Sequence, residues 1–275
     1  MASKTGVDMK AGTLSILGCG WLGMAVADRF LREGWQVNGS TTTQEKLSTL
    51  TTKGVNAFLV EMNPHLQGSA LDRFFHADVL LVSVPPRRKA GLTDLYNTQI
   101  ESLSIALTKT NITRIIFISS TSIYDDLNRE VFEEDANPSS YLYRAEQCLF
   151  SVENYKTTVL RFAGLIGGDR HPGRFLSGKQ NVDGAEMPVN MIHQQDCVNI
   201  IMAIVQQDLF GDVFNACADL HPTKKEFYEA SSRALNVAPP TFSNNVHTPF
   251  KIVNADKLKE KLQYQFTYPD PMSMI

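Results

Sequence analysis

The feature that most limits what this chain can fold into is a glycine loop near its start. Residues 13–17 form a short apolar run, and Gly18-Cys19-Gly20-Trp21-Leu22-Gly23 comes directly after it. Beyond it Leu22, Ala25, Val26 and Phe30 recur at helical spacing until Gly34, and Gln36 begins a second apolar stretch. Strand, glycine turn, helix and strand make a βαβ unit whose right-handed crossover leaves the two strands parallel. In such a turn the first glycine permits the tight bend, the second lets backbone approach a pyrophosphate, and the third lets helix and strand pack closely. The unpaired N–H groups and dipole of the helix start favour an anion there. Gly18 through Gly23 are therefore expected to hold a dinucleotide, with Trp21 packed beside its pyrophosphate.

The alternation continues down the chain. Helices are expected at residues 44–53 and 93–108, and strands at 57–60, 79–84, 114–119 and 158–161. The unbroken apolar run Val79-Leu80-Leu81-Val82-Ser83-Val84 suits a strand buried on both faces, and Pro85-Pro86 ends it. Six strands with interleaved helices predict an α/β fold, a doubly wound parallel sheet of the Rossmann type in the order 3-2-1-4-5-6. Past Gly164 the pattern changes, and glycine, proline and polar residues dominate 167–188. A helix at 197–207, a strand at 213–216 and a helix at 223–235 complete the pattern; Thr223 and Glu226 have the spacing of a capping box. The division read from this is a dinucleotide-binding domain, 1–165, and a smaller substrate-binding α/β region, 166–275, partly interleaved with it.

Composition narrows the partners. In 275 residues, 26 basic side chains stand against 29 acidic ones, a net charge of -3 that gives no reason to expect nucleic acid. Cys19, Cys148, Cys197 and Cys217 have no C-x-x-C spacing and no histidines clustered with them, so no metal site is expected and the thiols read as reduced. Residues 1–12 lack the apolar stretch of a secretion signal, and no segment approaches the roughly 20 apolar residues that cross a bilayer. The expectation is a cytoplasmic protein with a small-molecule substrate and no membrane contact. The oligomeric state stays open, with a dimer allowed.

Dinucleotide sites that prefer NAD place a carboxylate about 20 residues past the loop, on the ribose. Here the stretch reads Asn38-Gly39-Ser40-Thr41-Thr42-Thr43, with hydroxyls, no carboxylate, Lys46 a turn later and no arginine. Ser40, Thr41 and Thr42 are read as lining a site that takes NADP in preference to NAD; their alternative role is to cap the next helix. Ser119-Ser120-Thr121-Ser122-x-Tyr124 ends the fifth strand, where ligands of such sheets bind. A catalytic hydroxyl and local turn chemistry are the two readings of it. Asp196 reads as a helix cap or loop anchor, Cys19 as a small loop residue, and Arg174 as a candidate for a substrate phosphate or carboxylate.

Four segments together resemble the short-chain dehydrogenase/reductase superfamily in its extended, epimerase/dehydratase-like branch. They are the glycine loop, residues 118–124, Leu160-Arg161-Phe162-Ala163-Gly164-Leu165-Ile166-Gly167, and residues 189–196. The resemblance spans nearly the whole chain. It implies an NAD(P)-dependent oxidoreductase, epimerase or dehydratase-like enzyme acting on a small polar molecule, such as a nucleotide sugar. It places the family serine on Ser120, the nicotinamide-side loop on Phe162, Ala163 and Gly164, and adenine contacts near Glu61. Ser119, Val84 and Pro85, at the ends of their strands, complete the cofactor set.

Two departures stand out. The glycine spacing is G-x-G-x-x-G, where the extended branch has G-x-x-G-x-x-G. The family's Tyr-x-x-x-Lys pair is incomplete, because Ala145 stands at the lysine position for Tyr141 and Gln147 at that for Tyr143. A free tyrosine titrates near pH 10, and lowering that by about three units takes roughly 4 kcal/mol of preferential phenolate stabilisation. Arg144 shares a helix face with Tyr141 and is the nearest substitute, although a guanidinium differs from an ammonium in shape. Such a site resembles the atypical members of the superfamily. It leaves two readings, a working enzyme with a reduced site and a non-catalytic NAD(P)-binding sensor or scaffold.

Overall fold

The computed structural model describes residues 11–86, 93–243 and 248–275. Most of the N-terminal stretch that bears on a secretion signal therefore lies outside the described residues. Strands β1 (Thr13–Leu17), β2 (Gln36–Thr41), β3 (Asn56–Met62), β5 (Val79–Val82) and β6 (Arg114–Ser120) form where expected, with β4 (Leu66–Gly68) an unexpected strand between β3 and β5. After them come β7 (Arg129–Val131), β8 (Lys156–Phe162), β9 (Gly164–Ile166), β10 (Met191–His193), β11 (Val213–Ala216) and β12 (Lys251–Val253). The helices are α1 (Trp21–Arg32), α2 (Glu45–Thr52), α3 (Leu71–Phe74), α4 (Thr93–Leu107), α5 (Tyr141–Phe150), α6 (Gln194–Gln207), α7 (Lys224–Ala234) and α8 (Asp256–Leu262).

One eight-stranded sheet runs β11-β8-β6-β5-β1-β2-β3-β4. The expected 3-2-1-4-5-6 order is its centre. The additions are β4, antiparallel at one edge, and β11, parallel to β8 at the other. From β1 the chain moves one way to β2 and later the other way, from β5 to β6. Right-handed crossovers therefore put the intervening helices on opposite faces of the sheet. Helix α1 packs on α6 and α4 packs on α5. The central strands carry the core: every residue of β5 is buried, as are Leu14, Ile16, Ile115, Ile116 and Phe117. Residues 166–275 return β11 and α6 to this sheet. Their remaining elements include β10 beside β9, β12 beside β7, and a small apolar cluster of Ile166, Val189, Met191 and Phe227.

Two helix starts show how local chemistry sets the boundaries. Thr223 caps α7, its hydroxyl accepting from the Glu226 N–H while Glu226 reaches back to the Thr223 N–H, which is the expected capping box. Helix α6 begins three residues earlier than its apolar periodicity indicates. His193 is its N-cap, Nδ1 accepting from the Gln195 N–H at 3.1 Å. Asp196 is a loop anchor rather than the cap. It is fully buried and accepts from the Tyr264 hydroxyl and from the N–H groups of Thr267 and Tyr268. Among the described residues no helix is long and apolar enough to cross a membrane, and no three His, Cys, Asp or Glu side chains are placed to hold a metal ion.

Candidate active site

The strand order, not the strand direction, reverses between the parallel neighbours β1 and β5, and this is where an open α/β sheet leaves a crevice at its carboxyl edge. A cavity of about 750 Å³ lies there. The carboxyl ends of four neighbouring strands wall it: Gly20–Leu22 after β1, Ser83–Pro86 after β5, Ile118–Ser122 at the end of β6, and Phe162–Leu165 at the end of β8. Tyr141 and Leu142 from α5 close one side, and Arg170, Phe175, Asn190 and Lys251 come from the second half of the chain.

The glycine wall is built from backbone. Gly18 has φ +99°, and a Cβ on it would lie 2.7 Å from the Ser83 carbonyl oxygen. A Cβ on Gly23 would sit 2.4 Å from the Gly18 carbonyl oxygen, so α1 can lie against β1 only with glycine there. Gly20 differs: nothing stands within 4 Å of its Cβ position and its φ of -84° suits any residue. The space it leaves open is the approach to the first turn of α1, whose Gly20 cap has no side chain to satisfy the leading N–H groups and whose first turn has no acidic residue. That cradle fits a pyrophosphate: the Gly20 N–H donates to the Gly18 carbonyl oxygen at 2.8 Å, which leaves the N–H groups of Trp21 and Leu22 as the leading donors. Trp21 is held by Gln194, whose Nε2 donates to its carbonyl oxygen at 3.1 Å, and Arg170 stacks over its ring with 4.9 Å from guanidinium carbon to centroid.

Ser40 is buried, and its hydroxyl accepts from the Gly18 N–H at 2.8 Å. It fixes the loop from beneath and does not cap α2, whose N-cap is Gln44. Thr41 and Thr42 continue outward from it, the Thr41 hydroxyl accepting from the Thr43 N–H. Glu61 is exposed on β3 and lies outside the cavity wall. Cys19 packs toward Gly39, and burial pushes its thiol up to about 12, so the helix start does not make it a thiolate.

The opposite wall carries the candidate proton chemistry. Ser120 caps the turn after β6; its hydroxyl accepts from the Ser122 N–H at 3.2 Å and lies 3.1 Å from the Ser122 hydroxyl. Tyr141 lines the cavity with its ring edge-on to Tyr96, 6.2 Å between centroids. Tyr143 is half-buried against the core and off the cavity wall. Arg144 is exposed and does not line the cavity, and Ala145 at the lysine position is buried. Arg174 lies in a single 3-10 turn at Pro172–Arg174, exposed and off the wall, whereas Arg170 four residues earlier is on it.

Beneath this wall is a buried network that no sequence motif announces. Arg161, 3% exposed, donates to both carboxylate oxygens of Glu146, 1% exposed, and to the Tyr124 hydroxyl and the Glu133 carbonyl oxygen. Ser119 donates to Glu146 at 2.5 Å, and the Tyr124 hydroxyl donates to Asn215 Oδ1. Burial alone would lower the Arg161 pKa; the Glu146 hydrogen bonds and charge more than offset it, and the guanidinium stays charged. The one signal in the sequence is a charged residue in the middle of the apolar run Thr157–Phe162. Arg170, Phe175 and Lys251 also escape sequence reading, because no local pattern links them to the strand ends they face, and Asn190 is legible only as part of the 189–196 segment.

No family model matches the chain. Over 269 residues it is 35% identical to Protein YeeZ of Escherichia coli (strain K12), covering 95% of this chain and 98% of that one. A functionally unknown conserved protein from Silicibacter pomeroyi DSS has a similar structure, with TM-score 0.74, 21% identity and 96% of both chains covered. UDP-glucuronic acid 4-epimerase from Bacillus cereus, in complex with UDP-glucuronic acid and NAD, gives TM-score 0.76 at 16% identity, covering 95% of this chain and 96% of that one. The chain thus belongs to the family of YeeZ, and its fold is that of the extended, epimerase/dehydratase-like short-chain dehydrogenase/reductases.

Proposed function

We propose that the chain is a cytoplasmic NAD(P)-dependent oxidoreductase or epimerase/dehydratase-like enzyme that binds a small polar substrate between its sheet edge and residues 166–275. The observation that carries this reading is one cavity bounded by the glycine cradle, the Ser119–Ser122 strand end, Tyr141 and the Phe162–Leu165 loop. Trp21 and Leu22 bind the pyrophosphate over Gly20, and Val84, Pro85 and Phe162–Gly164 flank the nicotinamide half. When bound, the dinucleotide supplies hydride transfer. Ser120 orients the reacting oxygen and Tyr141 exchanges its proton. Phe162 and Ala163, both buried, help keep water from the reacting end. The carboxylate-free Thr41–Thr42 stretch supports NADP over NAD. The solved Bacillus cereus epimerase holds UDP-glucuronic acid, and a nucleotide sugar is the first substrate class to try.

The test has two arms. NADP at about 100 times its Kd should stabilise the fold by roughly 2.7 kcal/mol, with a smaller shift for NAD at equal concentration. A larger shift with NAD reverses the preference, and none with either removes the cofactor. With a substrate that wild type turns over, Tyr141→Phe should lower turnover by about 10²–10⁴-fold with cofactor affinity unchanged. Tyr143→Phe should stay near wild type. The second reading, a non-catalytic sensor or scaffold, draws on Ala145 and on Arg144 being off the wall. It predicts dinucleotide binding with no turnover across a carbonyl and sugar-nucleotide panel.

A further inference from the structure

The cavity wall is unbalanced in charge. Among the described residues it includes two cationic side chains, Arg170 and Lys251, and no carboxylate. Arg170 lies over Trp21 at the glycine cradle, where a pyrophosphate accounts for it. Lys251 belongs to the other end. It opens β12, roughly a hundred residues after α5, and its Nζ donates to the Tyr124 carbonyl oxygen at 2.9 Å and to Asp126 Oδ1 at 2.7 Å. An ammonium has three N–H groups, so one is left over on a side chain that is only 18% exposed and lines the cavity.

Its placement is rigid. Asn190, also on the wall, donates through Nδ2 to the Lys251 carbonyl oxygen at 2.9 Å and accepts at Oδ1 from the Val253 N–H at 2.8 Å. The side-chain amide thus brackets β12 on both sides of Ile252. The neutralising partner is weak by comparison. Asp126 is 45% exposed and is not part of the wall, so water screens its charge, whereas an anion inside the cavity meets Lys251 at lower dielectric.

We propose that Lys251 is the substrate-anion residue of this site, and that the substrate carries a carboxylate or a phosphate which the ammonium holds beside Ser120 and Ser122. An ammonium is a point charge and takes either group. The assignment rests on the reading of the cavity as a substrate and dinucleotide site. It makes Lys251 a binding residue that has no counterpart in the Tyr141–Ala145 spacing.

The test measures malonate and inorganic phosphate binding by calorimetry to wild type, Lys251→Met, Lys251→Arg and Asp126→Asn, each free and saturated with NADP. At least one anion should bind wild type at one site. Its Kd should rise by about tenfold or more in Lys251→Met, as expected for loss of a charge-assisted bond, and recover to within about threefold in Lys251→Arg. Asp126→Asn removes the competing carboxylate and should tighten binding. Malonate alone indicates a carboxylate substrate, and phosphate alone a phosphate. Binding of neither anion, equal affinity in Lys251→Met, or unchanged affinity in Asp126→Asn overturns the proposal. If Lys251→Met does not fold, the Asp126→Asn result decides. NADP affinity should be the same in all four proteins; its absence from wild type would remove the cofactor reading without touching the anion comparison in the free proteins.

Discussion

The two long walls of the cavity are made of different material. The glycine wall is backbone: Gly18, Gly23 and Ser40 fix a loop whose donors are main-chain N–H groups. The α5 wall is side chain: Tyr141 and the hydroxyls of Ser119, Ser120, Thr121 and Ser122 line it, while Ala145, where the resemblance implies lysine, is buried off the wall. The first has the tight turn, the open approach and the close helix contact that its motif implies. The second keeps its framework, because Ser119, Glu146, Arg161 and Tyr124 still lock β6, α5 and β8 together, while the group that would tune the tyrosine is gone. In the glycine wall Gly18 and Gly23 serve the fold by their close contacts, and Gly20 leaves the approach to the helix start open. Side-chain chemistry can change on an unchanged frame.

The largest expected effect tests the frame of the α5 wall. Glu146→Met strands the Arg161 charge in the interior and should cost about 3–5 kcal/mol, whereas Glu146→Met combined with Arg161→Met should recover most of it. Denaturant unfolding of both proteins checks this. A single variant as stable as wild type would mean that the α5 wall is not held by the ion pair.

Next comes the contrast within the glycine wall. Gly23→Ala forces a Cβ onto the Gly18 carbonyl and should cost about 1–3 kcal/mol by overpacking. Gly20→Val should leave stability within about 0.5 kcal/mol of wild type, since nothing stands near its Cβ, yet abolish dinucleotide binding. If Gly20→Val keeps its affinity, the nucleotide lies elsewhere and the comparison of walls fails.

The smallest effect concerns pH. Helix α6 braces the glycine wall through Gln194 and Trp21, and its N-cap is the imidazole of His193 acting as an acceptor. Burial lowers the His193 pKa, outweighing the nearby Asp196 charge. A proton therefore binds the unfolded chain first. The contribution is fully present above the unfolded pKa of about 6.5 and is lost as pH falls through the lower folded value. Thermal melts from pH 7.5 to 5 should show this decline, and His193→Asn, a cap that does not titrate, should flatten part of it. An equal slope in the variant would assign the pH dependence to other groups, such as His171 and His221, whose pKa values burial also lowers.

These contrasts also explain what is legible in the sequence. Gly18, Gly20 and Gly23 announce themselves, since spacing and the requirement for no Cβ are local properties. So do the six strands and the Thr223–Glu226 cap. Counting along the sequence does not separate Tyr141 from Tyr143; two positions apart they point to nearly opposite sides of α5, and Tyr141 is the one that packs on Tyr96 and lines the cavity. Ser40 reads as a ligand donor by position and is a support for Gly18 in the fold. Arg170 and Lys251 reach the site through loops and short strands with no period, and a contact such as Lys251 to Tyr124 spans 127 positions that no window covers.

The Asp196 anchor bears on the order in which the protein is made. Its carboxylate sits at the start of α6, inside the nucleotide fold, but the hydroxyl and both N–H groups that satisfy it belong to Tyr264, Thr267 and Tyr268, between 68 and 72 positions later. While the chain emerges from the ribosome, the sheet from β1 to β11 is already available when that carboxylate still lacks its donors. Sealing of α6 therefore waits for translation to reach Tyr268, and a chain that stops before Tyr264 lacks all three of these donors to the Asp196 carboxylate.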